Sequence, residues 1–379
     1  MAVFEFIRGY FMYTEKQLAA VARRENNTKR AYLVVNKLQG KHIPVNPQDF
    51  FDMTASLATK VKAAYPDEKM LLIGFAETAT AIGAALASYL DTPYIQTTRE
   101  SIDDVTWLNF TESHSHATEQ KLVRDDIEAI TGSIDRIIFV EDEITTGNTI
   151  KKIIDIIIKE FGNDCKFAVA SLLNGMNEQS QKTYSECNID VHYLVKTQHD
   201  TYTEIASRYL GNGNYHEKDI SKPDVSINEL AFSGMQNARR LVSGTNYSKA
   251  CDTLYEDIRS RISFEDENNI LILGTEECMY PALYIASKLS IIEKNVKCHS
   301  TTRSPIAVSK EKEYPLHSRY ELASLYDRER TTYIYDLDEY DCVIIITDSK
   351  SVSDDGINSL ANALIKCGNK NINLIKWEE

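Results

Sequence analysis

Two carboxylates and a hydroxyl-rich turn follow an apolar run in the segment Val140-Glu141-Asp142-Glu143-Ile144-Thr145-Thr146-Gly147-Asn148-Thr149. The run 137–140 reads as a buried strand, and the pattern beyond the turn predicts a helix from about Ile150. Such a turn gathers successive backbone N–H groups and the hydroxyls of Thr145, Thr146 and Thr149 around one point at a helix N-terminus. That arrangement suits a phosphate monoester, and Gly147 lets the backbone come close to the anion. Glu141 and Asp142 would repel a phosphate, but they can accept hydrogen bonds from vicinal sugar hydroxyls. The pair and the turn together read as a site for ribose 5-phosphate, with residues 145–149, Asn148 included, around the phosphate.

A second anion loop is suggested by Gly74-Phe75-Ala76-Glu77-Thr78-Ala79-Thr80, which lies between a buried strand and a helix. Glu77 is an unexpected residue there: it can hydrate a metal, read an amine or cap the helix. Arg99 ends the next strand and offers bidentate, charge-assisted contacts to an anion; a plain salt bridge with Glu100 is the other reading. Between Arg99 and the acidic motif lie His114 and His116. Their spacing also fits a fragment of a metal site, although no matching Cys or Asp cluster is near, or simple exposed loop histidines. His42 stands in Gly40-Lys41-His42-Ile43-Pro44 as a candidate for an acceptor pocket or an ordinary loop histidine.

These loops need elements to hold them. Short β-branched runs at 32–35, 70–73, 94–97, 136–140, 167–172, 191–195, 270–273, 296–300, 332–335, 342–347 and 371–375 read as strands. Helical patterns at 47–64, 80–90, 149–161, 247–262, 281–289 and 355–367 fall between many of them. The alternation predicts an α/β protein with mainly parallel sheets flanked by helices. The chain also repeats itself. Gly74 and Glu77 recur as Gly274 and Glu277, Thr97-Thr98-Arg99 recurs as Thr301-Thr302-Arg303, and the strand end at Asp142 recurs at Asp348. This predicts a second, related and degenerate α/β unit. Expected boundaries are an N-terminal extension at 1–30, a first unit at 31–229 and a second at 230–379.

The 379 residues carry 42 basic and 56 acidic side chains, a net charge of −14. That disfavours nucleic acid as a partner, because such binding rests on neutralising phosphates. It does not exclude a small anion held by backbone amides. Seven cysteines without pairing rhythm read as reduced thiols and point to the cytoplasm. The N-terminal stretch is a poor signal peptide, and no apolar run reaches the length needed to cross a membrane.

Residues 139–149 resemble the signature of type I phosphoribosyltransferases, with Glu143 at a usually apolar place. The Gly40–Pro44, Glu77–Thr80, Thr97–Glu100 and Glu112–Ala117 segments narrow this to an orotate-phosphoribosyltransferase-like unit. With Thr301-Thr302-Arg303-Ser304-Pro305 the whole is similar to its fusion with a TRSP domain, found in gene clusters of tellurite resistance and stress response. The resemblance implies transfer of ribose 5-phosphate from 5-phosphoribosyl 1-diphosphate (PRPP) to a small nitrogenous acceptor, in nucleotide-like metabolite synthesis or salvage. It implies Mg2+, bound indirectly by Glu141 and Asp142 through the substrate. It implies diphosphate contacts at Ala76, Glu77, Thr78 and Arg99, and catalytic roles for Arg99, His114 and His116 under a lid at Asp103–Lys121. A non-catalytic PRPP- or nucleotide-binding regulator is the alternative. In the second unit Asp354 and Asp355 would repel a phosphate, and Arg303, Ser304 and Asp348 are the candidate site residues. That unit reads as a degenerate partner in a pseudo-dimer, as a separate site or as a regulatory nucleotide site, and a homodimer is also possible.

Overall fold

The computed structural model describes residues 12–25, 30–110, 120–291 and 295–379. Among these, two α/β sheets are built on one plan. The first runs Val242–Ser243, Pro93–Gln96, Met70–Gly74, Arg136–Ile144, Lys166–Asn174, Ile189–Lys196. All its pairings are parallel except that of Val242–Ser243. The second runs Asn295–Ser300, Asn269–Gly274, Cys342–Thr347, Ile372–Trp377, Asn228–Phe232, and is parallel throughout. Four neighbouring strands thus repeat in order. The fifth place is filled in one sheet by a strand after the repeat and in the other by a strand before it. The expected division near 230 falls within Asn228–Phe232.

Local chemistry accounts for the helices. Pro47–Ala64 starts with proline in its first turn, and the Asn46 side chain accepts from the Gln48 N–H. Asn148–Phe161 buries Ile150, Ile153, Ile154 and Ile157, one stripe at helical spacing. Each such side chain contributes roughly 1.5–3 kcal/mol on burial. Thr80–Leu90 and Tyr280–Ser290 are apolar nearly all round because they lie between the two sheets, packed on each other. Pro47–Ala64 packs on Tyr280–Ser290, and Gly244–Arg261 packs on Thr80–Leu90. The largest apolar core runs without a break through both repeats.

The repeats also exchange backbone. Val242 pairs antiparallel with Tyr94 at the edge of the first sheet, and Val45 pairs with Cys298 at the edge of the second. Contacts in which each repeat gives the other the same group are those of an isologous interface. Residues Ala19–Arg23, within the expected extension, form a hairpin with Tyr32–Asn36. This hairpin packs on Ile306, Val308, Tyr314 and Leu316 of the second repeat.

Tyr94 fixes the join between strand and helix. Its buried hydroxyl donates to the Thr80 carbonyl at 2.7 Å, and its ring lies against Gly74 and Gly83. A Cβ at Gly74 would stand 2.5 Å from that hydroxyl oxygen. Gly74→Ala is expected to cost about 1–3 kcal/mol, as overpacked cores do, and urea denaturation will show it as a lower midpoint.

Candidate functional site

The carboxyl end of the first sheet gathers most of the residues singled out above. Strand Arg136–Ile144 runs four residues further than its apolar pattern, because Glu141 and Glu143 stay paired with Ser171 and Leu173 of the next strand. Glu141 and Asp142 are partly exposed at its end. Asp142 accepts from the Thr78 hydroxyl at 2.8 Å, which joins the acidic motif to the loop at 75–79. Glu143 is 10 % exposed and pairs with Arg30 and with His199 at 3.2 Å. Burial alone would raise its carboxyl; Arg30 and His199 outweigh that and hold it below its usual range. Arg30 also lies over the ring of Tyr32, whose hydroxyl meets His199 at 3.0 Å. A charge at this usually apolar place is therefore matched by charge.

The turn at 145–147 leads into a helix that begins at Asn148, one residue before the pattern at 149–161. Gly147 is its N-cap, in the left-handed region at φ 70°, and no side chain caps the helix. Its first turn holds no acidic residue. The first N–H groups of a helix have no partner within it; the Asn148 N–H makes a long contact to Thr146 Oγ1 at 3.4 Å, and the end is otherwise open to an anion, with the partly exposed Thr145, Thr146 and Thr149 around it. The turn is braced from below by Tyr184, whose buried hydroxyl donates to the Gly147 carbonyl at 2.7 Å. Nothing in the sequence around Tyr184 marks it for this role.

The second repeat differs at the same place. Helix Asp354–Lys366 is capped by Ser353, whose side chain accepts from Gly356 N–H, and Asp354 and Asp355 fill its first turn. Asp348 is held by Arg239 and by the Tyr326 hydroxyl at 2.6 Å. That helix end is closed to phosphate.

The loop at 75–79 is tied down along its length. The Ala76 N–H donates to Thr97 Oγ1 at 2.8 Å, and Gln120 Nε2 donates to the Ala76 carbonyl at 2.9 Å. The Gln39 amide donates to the Thr78 carbonyl. The Ala76–Glu77 peptide is cis. Glu77 turns its carboxylate onto Lys41 of its own repeat at 2.8 Å and onto Arg303 of the second repeat at 2.8 Å. Arg99 lines a cleft of about 300 Å³ with Arg239, Tyr326, Arg330, Asp348 and Lys350, and its N–H donates to Glu277 at 3.1 Å. Ser304 is partly exposed, and its carbonyl accepts from Tyr335 at 2.6 Å. His42 is buried against Tyr335; burial, then Lys41, pushes its imidazole down to about 3. His114 and His116 lie outside the described residues. Lys41 and Arg239, neither assigned a role from sequence, turn out to be buried cations facing Glu77 and Glu277.

Burial, and next the charge on Glu143, push the Asp142 carboxyl up to about 6; the Thr78 hydroxyl acts the other way. The folded protein therefore takes up this proton as pH falls through about 6, before an unfolded aspartate would near pH 4. The cost to the fold is full above about pH 6, shrinks as pH falls below that, and is lost only on approaching the unfolded value near 4. Asp142→Asn should raise the urea midpoint at pH 7, and the gain should vanish at pH 4.

Residues 18–201 match a family model described as phosphoribosyl transferase, and residues 240–364 match the TRSP domain described as C-terminal to it. No match was found among curated proteins. Similar solved structures include adenine phosphoribosyltransferase from Rhodothermus marinus, 16% identical, with a TM-score of 0.36 over 48% of this chain and 96% of that one. The Trypanosoma brucei adenine phosphoribosyl transferase, solved with AMP, pyrophosphate and ribose 5-phosphate, is 16% identical, with a TM-score of 0.34 over 48% of this chain and 77% of that one. The Giardia lamblia APRTase, complexed with 9-deazaadenine, is 13% identical, with a TM-score of 0.35 over 48% and 95%. The chain thus carries a phosphoribosyl transferase domain followed by a TRSP domain.

Proposed function

We propose that this chain transfers ribose 5-phosphate from PRPP to a small nitrogenous acceptor and releases pyrophosphate. One observation carries the reading: an uncapped helix N-terminus at Gly147 stands beside the linked pair Asp142 and Thr78. The open amides and the hydroxyls of Thr145, Thr146 and Thr149 receive the 5-phosphate. Glu141 and Asp142 accept from the ribose hydroxyls. The loop at Ala76–Thr78 receives the diphosphate. In the reaction the bond from the anomeric carbon to the diphosphate oxygen breaks, a bond to the acceptor nitrogen forms, and the acceptor loses one proton. Holding both partners in line and stabilising the departing charge supply the acceleration.

A magnesium ion fits this donor set as a companion of the diphosphate, whose charge it would neutralise. Among the described residues no group of three or more His, Cys, Asp or Glu could hold a metal alone. Asp142, whose ionised form is disfavoured by burial and by Glu143, gains from a dication nearby. The capped, acidic helix start at Ser353–Asp355 supports one transfer site per chain, with the second repeat as its built-in partner.

Calorimetry with PRPP should show Mg2+-dependent binding. Asp142→Asn and Thr146→Ala should each weaken it about tenfold, the effect of losing a hydrogen bond to a charged group. Absence of binding, with both variants like wild type, would overturn the reading. Labelled PRPP with a panel of bases should then release pyrophosphate in the presence of one acceptor.

A further inference from the structure

We propose that Arg303 is a positioning residue for the diphosphate loop of the other repeat: it acts through Glu77 and does not touch the substrate. This rests on the reading of Ala76–Thr78 as the diphosphate seat.

A carboxylate in such a loop repels its ligand unless its charge is cancelled. Glu77 is 8 % exposed and has Lys41 Nζ at 2.8 Å from Oε1 and Arg303 Nε at 2.8 Å from Oε2. The Arg303 backbone N–H donates to Oε1 at 3.2 Å. Arg303 faces three more carboxylates, Glu276 at 3.2 Å, Glu277 at 2.7 Å and Glu100 at 3.9 Å. Its Nε and one terminal nitrogen therefore face protein anions. Glu276 and Glu277 are buried and each keeps one other cation, Arg330 at 2.7 Å and Arg239 at 2.9 Å, but Arg303 is the cation placed between them and Glu77, and its loss leaves their repulsion on Glu77 less screened. Ala76 and Thr78 on either side are tied to Thr97, Gln120, Gln39 and Asp142 within the first repeat. The Glu77 side chain is the bond from this loop to the second sheet, so any shift of Glu77 passes into the loop amides.

The same device exists in reverse. Glu277 accepts from the Thr98 hydroxyl at 2.7 Å and the Arg99 N–H at 3.1 Å, and pairs with Arg239 at 2.9 Å. The loop of each repeat is thus held by the Thr-Thr-Arg of the other. A lysine at 303 would keep the charge, but a single ammonium cannot span Glu77 and Glu277 together.

The test compares two probes by calorimetry on the full chain. Mg2+-PRPP uses both the phosphate turn and the diphosphate loop; ribose 5-phosphate uses the turn without the loop. Arg303→Met should weaken PRPP roughly tenfold or more, as small misplacements of a site do. Ribose 5-phosphate should stay within about twofold, since the turn shares no partner with Arg303. Glu77→Gln in the Arg303→Met background should recover most of the PRPP affinity. Should Arg303→Met not fold, Arg303→Lys and its Glu77→Gln double variant give the same comparison. Equal weakening of both probes would make Arg303 merely structural. Failure of Glu77→Gln to restore binding would point to a direct contact with diphosphate. Either overturns the proposal while leaving the proposed function intact. Wild-type protein that binds neither probe would remove the proposed function itself, and this inference with it.

Discussion

Carboxylates removed from water must meet cations, and at the junction of the two sheets five of them do. Glu77, Glu100, Glu276, Glu277 and Asp348 are interleaved with Lys41, Arg239, Arg303 and Arg330. Removing one partner from such a cluster is far more costly than the cluster is stabilising as a whole. Its members come from both repeats, and the pairs Arg303–Glu77, Arg303–Glu100 and Arg330–Glu100 cross between them, which favours a single registry between the sheets. The arrangement of the loops at both carboxyl ends follows from that registry. Burial would raise the Glu77 carboxyl; Lys41 and Arg303 reverse this and hold it at about 2, so its charge persists across the working pH range.

Against this shared frame the two repeats part at the start of one helix. Gly147 leaves its helix end open, whereas Ser353 closes the corresponding end and two aspartates follow it. A change of cap is small in sequence and decisive for an anion, because the helix N-terminus has both donors and a favourable dipole to offer. The acidic net charge of the chain does not conflict with an anionic ligand there, since the contacts are local.

Much of this was legible in the sequence. Pro47–Ala64 and Thr80–Leu90 have the limits that their apolar spacing and flanking residues predict. The repeat, read from Gly74, Glu77 and Thr97-Thr98-Arg99 and their later counterparts, reappears as the common strand order. The longer reach of Arg136–Ile144 was not legible, since a charged residue such as Glu143 stays in a strand only if partners such as Arg30 and His199 arrive from elsewhere. Glu77 was equally opaque. Its partner Arg303 lies 226 positions away, and local pattern does not record such pairs. The clue was present in the repeat itself: both halves keep the glutamate and the arginine, as two surfaces that grip each other would.

The exchange of edge segments, Val45 onto Cys298 and Val242 onto Tyr94, bears on how such a chain can change over time. In a symmetric pair of identical chains every substitution strikes both faces at once, so neither site can be altered without its twin. Joining the two halves in one polypeptide lifts that constraint. One half can lose its ligand chemistry residue by residue while its backbone continues to hold the other in shape. Asymmetry of function then needs no asymmetry of architecture.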